Sequence, residues 1–419
     1  MLSHAMARTE PRTAAARTEP DADRWRMLGW ISLAELGALS LWFSATAVIP
    51  ALRTAWMDDA AKAWLSMAVT LGFVVGTALS AALTLADYLG ARRLFAVCAV
   101  VGAAANLALL PAIDSLPAVL ACRFVTGLAM AGTYPPGMKL AASWFIQHRG
   151  LAVGTLVGAL TFGGAAPHFL NFVGGLAWPR VIVATSVASL VGAGIMILFV
   201  RDGPYATARA PFDPRCVGVL LRNRGVLLAN LGYFGHMWEL YAMWSWIGLY
   251  LVEAFSRAGV SAAPRVGSLV TAVVIAAGGV SCILAGRLAD HVGRTATTMI
   301  AMVASGTSAA VIGLVFGSPV LLVLVALVWG FTIVADSAQF STSVSELAPR
   351  EYIGTALSLQ TCVGFTLTLV STRLVPVMAD AWGWAFAFLF LAPGPFLGTL
   401  AMWTLRRLPE SAKLALGRR

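Results

Sequence analysis

Two short stretches decide how this chain is read: LTLADYLGARR at Leu83–Arg93 and GRLADHVGR at Gly286–Arg294. They share the core L-A-D-x-x-G, and their aspartates, Asp87 and Asp290, stand 203 residues apart. Gly127 and Gly330 recur at the same offset. Either stretch alone reads as a tight turn with helix caps. As a pair at one offset in a chain of 419 residues, they mark an internal duplication.

The composition says what is duplicated. Hydrophobic residues make up 59% and charged residues only 11%, with a mean hydropathy of +0.81. Soluble domains hold about 45–50% apolar and about 25% charged residues, so an ordinary water-soluble enzyme is excluded. The chain is also far too apolar to be disordered. A bilayer-crossing helix needs roughly 20 apolar residues. Segments of that kind run over about 27–50, 63–85, 94–112, 117–138, 150–173 and 180–200. They resume over about 225–252, 266–286, 296–316, 319–347, 353–377 and 383–405. The resulting expectation is an all-α integral membrane protein of twelve spans in two six-helix bundles, related by pseudo-two-fold symmetry. Residues 1–24 read as a disordered cytoplasmic tail, 25–200 and 225–405 as the bundles, 201–224 as a cytoplasmic linker and 406–419 as a second cytoplasmic tail.

The net charge of +10 would suggest a nucleic-acid partner in a soluble protein. Here nearly all Lys and Arg outside the spans fall on one side. Only Arg53, Lys62, Arg180, Arg257 and Arg265 fall on the other. The excess of basic residues in cytoplasmic loops predicts both termini inside, as an even number of spans requires. The charge thus reads as topology, with no nucleic acid. The five cysteines, Cys98, Cys122, Cys216, Cys282 and Cys362, form no CxxC pair. They read as small core fillers, with neither a disulfide framework nor a zinc site expected.

At this point the chain resembles the major facilitator superfamily. GxLADxxGR is the family's signature loop, intact at Gly286–Arg294; in the first copy Leu83 replaces the glycine and Ala91 an arginine. Arg123-Phe-Val-Thr-Gly127 is similar to the family's RxxxG motif, and Trp144-Phe145 followed by Arg149-Gly150 and Gly154 is common among its solute porters. The double proline, Pro135-Pro136, should kink span four. The resemblance covers residues 25–408 and comes closest to bacterial porters loosely grouped with nitrate/nitrite and cyanate transporters. Spans two and eight lack the central arginine of nitrate porters, so that substrate is not carried over. It implies a fold in which spans one, four, seven and ten line a central cavity. It also implies that Asp87, Gly90 and Arg92, with Gly286, Asp290, Gly293 and Arg294, latch the two halves at the cytoplasmic side. A carboxylate suits a neighbouring helix N-terminus, and an arginine suits helix-end carbonyls.

Ionisable side chains at membrane depth are costly and face protein or a watery cavity. Each of the four cavity spans carries one: Glu35, Arg123, His236 with Glu239, and Asp336. Helical spacing aligns Tyr233, His236, Glu239, Met243 and Trp246 in span seven. It aligns Asp336, Gln339, Ser343 and Glu346 in span ten, Glu35, Trp42 and Thr46 in span one, and Arg123, Met130 and Tyr134 in span four. Span eleven adds Ser358, Thr361, Phe365 and Thr368. The candidate substrate- and proton-binding set is Glu35, Arg123, Tyr134, Tyr233, His236, Glu239, Trp246, Asp336 and Gln339. It predicts a midplane pocket with aromatic walls and a few polar groups. Each residue has a plainer role: Arg123 as a bridge to a carboxylate, Glu35 as a gate, His236 as a partner of Glu239 one turn away, and the tryptophans as packing. His168 reads as structural, and Arg373 as snorkelling to the outer surface.

Desolvation disfavours the charged form of a carboxylate, so a buried one can load and release protons during a cycle. The expected function is secondary active transport of a small polar or anionic organic solute by alternating access, with proton symport ahead of antiport that exports drugs or metabolites. Drug exporters of the family carry a Gly-Pro pair where Pro167 here follows Ala165-Ala166. A membrane enzyme would need a nucleophile–base set or a metal cluster, and the five histidines are scattered. A transporter-like sensor would need a soluble output domain. The expected partners are a small-molecule substrate, protons and the lipid bilayer, with no cofactor and no metal. A monomer in the bacterial inner membrane is expected.

Overall fold

The computed structural model describes residues 21–49, 52, 56–83, 85–145, 148–174, 177–205, 217–349 and 352–418. The expected tail over 1–20 and the middle of the linker, 206–216, lie outside the described residues. All regular structure among the described residues is helical. Within a bilayer no water satisfies the backbone, and helices alone satisfy their own amides.

Span one is Asp21–Leu39, resumed after a break as Ser44–Val48; span two is Asp59–Ala82 and span three Ala91–Leu107 with Leu109–Ala112. Span four is Leu116–Met130 with Tyr134–Ala142, span five Arg149–Val173 and span six Trp178–Leu198. The second half repeats the count. Span seven is Arg224–Arg257, span eight Ala263–Val292 and span nine Arg294–Val311 with a 3-10 turn at Ile312–Val315. Span ten is Pro319–Thr332 with Ser337–Leu347, span eleven Ile353–Trp382, and span twelve two 3-10 turns leading into Pro393–Arg407. A last 3-10 segment covers Pro409–Gly417. Ten of these units are long and apolar enough to cross a membrane. Spans one and seven fall outside those ten: the first is broken, and both carry ionisable side chains at their centres.

The helix starts at Asp21, so Asp21–Arg24 belong to span one rather than to the tail. Asp23 pairs with Arg26 at 2.8 Å, one turn on, and acidic residues suit a helix N-terminus. Asp58 and Asn223 cap spans two and seven by accepting from the amides of Ala61 (2.6 Å) and Val226 (3.2 Å).

The duplication survives as geometry. A Cβ on Gly127 would lie 1.8 Å from the Val69 carbonyl oxygen of span two, and one on Gly330 would lie 2.1 Å from that of Val274 in span eight. Only glycine lets the two backbones meet so closely. In each half the helix stops shortly after this contact, at Met130 and at Thr332, and restarts at Tyr134 and Ser337. Pro135 and Pro136 occupy the first turn of the restarted helix in span four, where their missing amide donors cost nothing.

The signature loops lie at one end of the molecule, here termed the latch end. Gly90 and Gly293 immediately precede spans three and nine with φ of +79° and +101°, which disfavours any side chain. The Arg92 guanidinium donates to the Ile197 carbonyl at 2.8 Å at the end of span six. Asp290 seats its carboxylate against the start of span five, where a Cβ on Gly150 would come within 2.5 Å of Oδ1. Arg294 behaves differently from Arg92. It forks onto Glu346 (2.9 Å), donates to Gln339 Oε1 (2.9 Å) and stands 3.5 Å from Asp290. The side chain of Asp87 lies outside the described residues.

Span five packs lengthwise on span eight, joining the bundles. Cβ atoms on Gly154 and Gly158 would lie 2.6 Å and 2.8 Å from the Cys282 and Gly279 carbonyl oxygens, and one on Gly286 would lie 2.6 Å from that of Gly150. Small residues every fourth position let helices meet this way. At the opposite end Asn171 donates to Ala47 O and Ser268 Oγ, both at 3.0 Å, and Ser66 and Ser245 share a 2.6 Å hydrogen bond. Both ends of the bundle interface are therefore bridged.

Candidate functional site

The site begins with the break in span one. Ser40 Oγ donates to Gly37 O at 2.7 Å and Ser44 Oγ to Leu41 O at 2.9 Å. Such back-bonding competes with the helix ladder and bends it. The break frees the carbonyls of Leu41 and Trp42 in a place without water. Arg123 takes them: it donates to Leu41 O at 3.0 Å, to Trp42 O, to Ser44 Oγ at 3.3 Å and to Leu65 O at 3.3 Å. The guanidinium is fully buried, and three of these four bonds go to backbone carbonyls. The expected bridge to a carboxylate is absent among the described residues.

Trp42, held at that break, enters a cluster of rings drawn from both bundles. Its centroid lies 5.2 Å from Phe73 (span two), 5.2 Å from Tyr241 (span seven) and 5.8 Å from Phe365 (span eleven). Phe73 and Phe365 stand 4.5 Å apart, and Tyr241 and Phe365 4.9 Å. Phe43 and Tyr241 link the cluster to Trp244 at 5.8 Å and 5.6 Å. All six are buried, and Phe73, Tyr241 and Phe365 sit near the centres of their helices. The expected midplane pocket is thus filled by its own aromatic walls. Between the bundles, toward the end opposite the latch, a void of about one water is lined by Thr46, His168, Ser245 and Thr271 among others.

The second half holds the ionisable groups in contact. His236 Nδ1 lies 2.9 Å from Asp336 Oδ1, and both side chains are about 1% exposed. Glu239 accepts from Trp329 Nε1 at 2.6 Å and from Ser305 Oγ at 2.9 Å. The partner expected for His236 was Glu239, one turn along the same helix. Instead the break in span ten carries Asp336 to it, and Glu239 turns toward spans nine and ten. Tyr233 packs beside His236 with the rings tilted and their centroids 6.1 Å apart, and fills the space at Gly364.

The remaining candidates lie elsewhere. Glu35 is fully buried in the first bundle with neither oxygen hydrogen-bonded among the described residues. A Cβ on Gly137 would sit 2.4 Å from its Oε2, and Tyr134 is one turn before Gly137 on the same helix. Trp246 donates to Thr372 O at 3.0 Å and packs. Gln339 accepts from Arg294 and so lies at the latch end of the molecule. The sequence pattern does not single out Phe73, Tyr241, Ser305 or Trp329, whose partners come from other helices. Only Trp42 and Phe365 show on a stripe.

The family model of the Major Facilitator Superfamily matches residues 31–372 and 231–419. No curated protein sequence matches the chain. Among solved structures, the proton:xylose symporter XylE bound to 6-bromo-6-deoxy-D-glucose is similar at TM-score 0.71 and 16% identity, over 91% of this chain and 96% of that one. A D-xylose-proton symporter gives TM-score 0.71 and 16% identity, over 92% and 99%. A variant of the nucleoside transporter NupG gives 0.69 and 14%, over 91% and 99%. With its apolar helices and the match of the family model across the chain, the molecule is an integral membrane protein that belongs to the major facilitator superfamily of secondary transporters.

Proposed function

We propose that this transporter moves a small polar organic solute by alternating access, in symport with protons. The observation that carries the coupling is the buried trio in the second bundle: His236 against Asp336, with Glu239 held by Trp329 and Ser305. Charged groups at this depth are retained for a task, and a histidine–carboxylate contact can gain or lose a proton with a small rearrangement. Glu35 is a second protonation candidate in the first bundle. Residues 25–200 and 225–405 act as the two rocking bodies, and the aromatic cluster is the surface on which they close.

The latch end is the cytoplasmic one on this reading, with both termini inside and the protein in a bacterial inner membrane as a monomer. It performs no catalysis. A reporter fused after Arg419 tests the topology, and a periplasmic signal refutes it. Vesicles test the coupling. An imposed proton gradient should concentrate the solute on the side to which protons flow. Accumulation against the proton flow would identify an antiporter instead.

A further inference from the structure

We infer that the site recognises an uncharged, flat, ring-bearing solute with hydrogen-bond acceptors. It would stack among Trp42, Phe73, Tyr241 and Phe365 and take the indole N–H groups of Trp42 and Trp244. The inference rests on the transport reading above and names the substrate class for it.

The rings come from four helices, two of each bundle, and the contacts of Trp42 with Tyr241 and Phe365 and of Phe73 with Phe365 exist only because the bundles are closed. Parting the bundles strips each ring of its partners across the interface. A planar solute entering at that moment restores stacking on both sides, and closure then follows without a void. Polar recognition comes from the indoles. Trp42 Nε1 and Trp244 Nε1 are buried donors that meet no acceptor among the described residues. Buried donors are normally paired, and these two flank the Phe43–Tyr241 contact. A carbonyl or ring nitrogen on the solute satisfies them.

Charge is disfavoured in either sign. For an anion, Arg123 already spends four of its five N–H donors on carbonyl and hydroxyl oxygens. The half-buried Arg373 stands eight residues beyond Phe365, about 12 Å along the helix. For an organic cation the rings alone would serve, but a buried cation also needs a counter-charge. Glu239 is occupied by Trp329 and Ser305, Asp336 faces His236, and Glu35 packs on Gly137. Free N–H donors also repel a cation.

The test uses the full chain in nanodiscs with neutral probes and their charged relatives: nicotinamide against nicotinate, and benzamide against benzoate and benzylammonium, with uridine as a larger neutral ring. The expected result is a rise in melting temperature with at least one neutral probe and none with its charged relative. Trp42→Phe and Trp244→Phe should each weaken that binding roughly fivefold, the worth of one neutral hydrogen bond. Trp64→Phe, at an exposed position, should leave it unchanged. The assignment fails if no neutral probe binds, if a charged relative binds as tightly, or if both tryptophan variants keep full affinity. Should the variants not fold, the comparison of relatives on the unaltered chain decides. A neutral probe that binds yet is never concentrated by vesicles sinks the transport reading alone. Gradient-driven accumulation of nicotinate or benzylammonium without neutral binding sinks the recognition alone.

Discussion

His236 Nδ1 stands 2.9 Å from Asp336 Oδ1, joining the middle of span seven to the break in span ten inside a single bundle. The contact does not cross the bundle interface, so it can change protonation without parting the two halves. Asp336→Asn keeps the shape and replaces one carboxylate oxygen with an amide nitrogen. Gradient-driven accumulation of whichever solute the unaltered protein concentrates should fall at least tenfold, while solute exchange without a gradient persists. Glu239→Gln should act in the same direction. Full accumulation in both variants would refute proton coupling through this trio.

Arg123 is predicted to act on stability before it acts on transport. Arg123→Met leaves the Trp42 carbonyl buried and unpaired and strips one donor from that of Leu41, a loss of about 1–3 kcal/mol. Arg123→Lys should recover little, because an ammonium cannot fork across several carbonyls. Thermal unfolding in detergent measures both. A lysine variant as stable as the parent would show that only the charge matters.

The face between spans five and eight offers a way to hold the latch end open. Leucine at Gly154 would run into the Cys282 carbonyl, and overpacking of that order costs about 1–3 kcal/mol. That shifts a two-state equilibrium roughly five- to 150-fold toward the separated form. Cys282 is 1% exposed in the closed form and so reports on the change. Maleimide labelling of Cys282 should speed up in Gly154→Leu, and unchanged labelling would mean that the helices part elsewhere.

Glu346 links the latch to the end of the chain. It receives Arg294 and the Ala415 amide, the latter at 3.0 Å, while Arg418 donates to the Asp290 carbonyl. Glu346→Gln removes the charge that gathers these donors. Residues 409–418 should then open locally more often, and trypsin should cut at the exposed Lys413 several-fold faster. An unaltered cleavage rate would place the holding force in the apolar packing of Leu414.

The duplication, the span count and the turn geometry of the signature loops were legible in the residues because each depends on short-range pattern. The loop glycines need positive φ, and Asp290 needs only a helix start nearby. Arg123 was legible as unusual and illegible in purpose. Its partners are backbone carbonyls exposed by a break at Ser40–Phe43, and no periodicity announces that break. The same holds for Asp336, which reaches His236 only because span ten stops at Thr332. The aromatic cluster is illegible for a different reason: its rings lie on four helices, and each ring alone looks like packing.

The matched seats of Gly127 on Val69 and of Gly330 on Val274 carry a consequence for how this chain can change. The two halves place the same demand on one joint at both addresses. A side chain tolerated at either seat would have to be met by a shift in the helix beneath it. A saturation scan across the first joint therefore forecasts the second, and any position where the two disagree marks where the halves have taken on separate work.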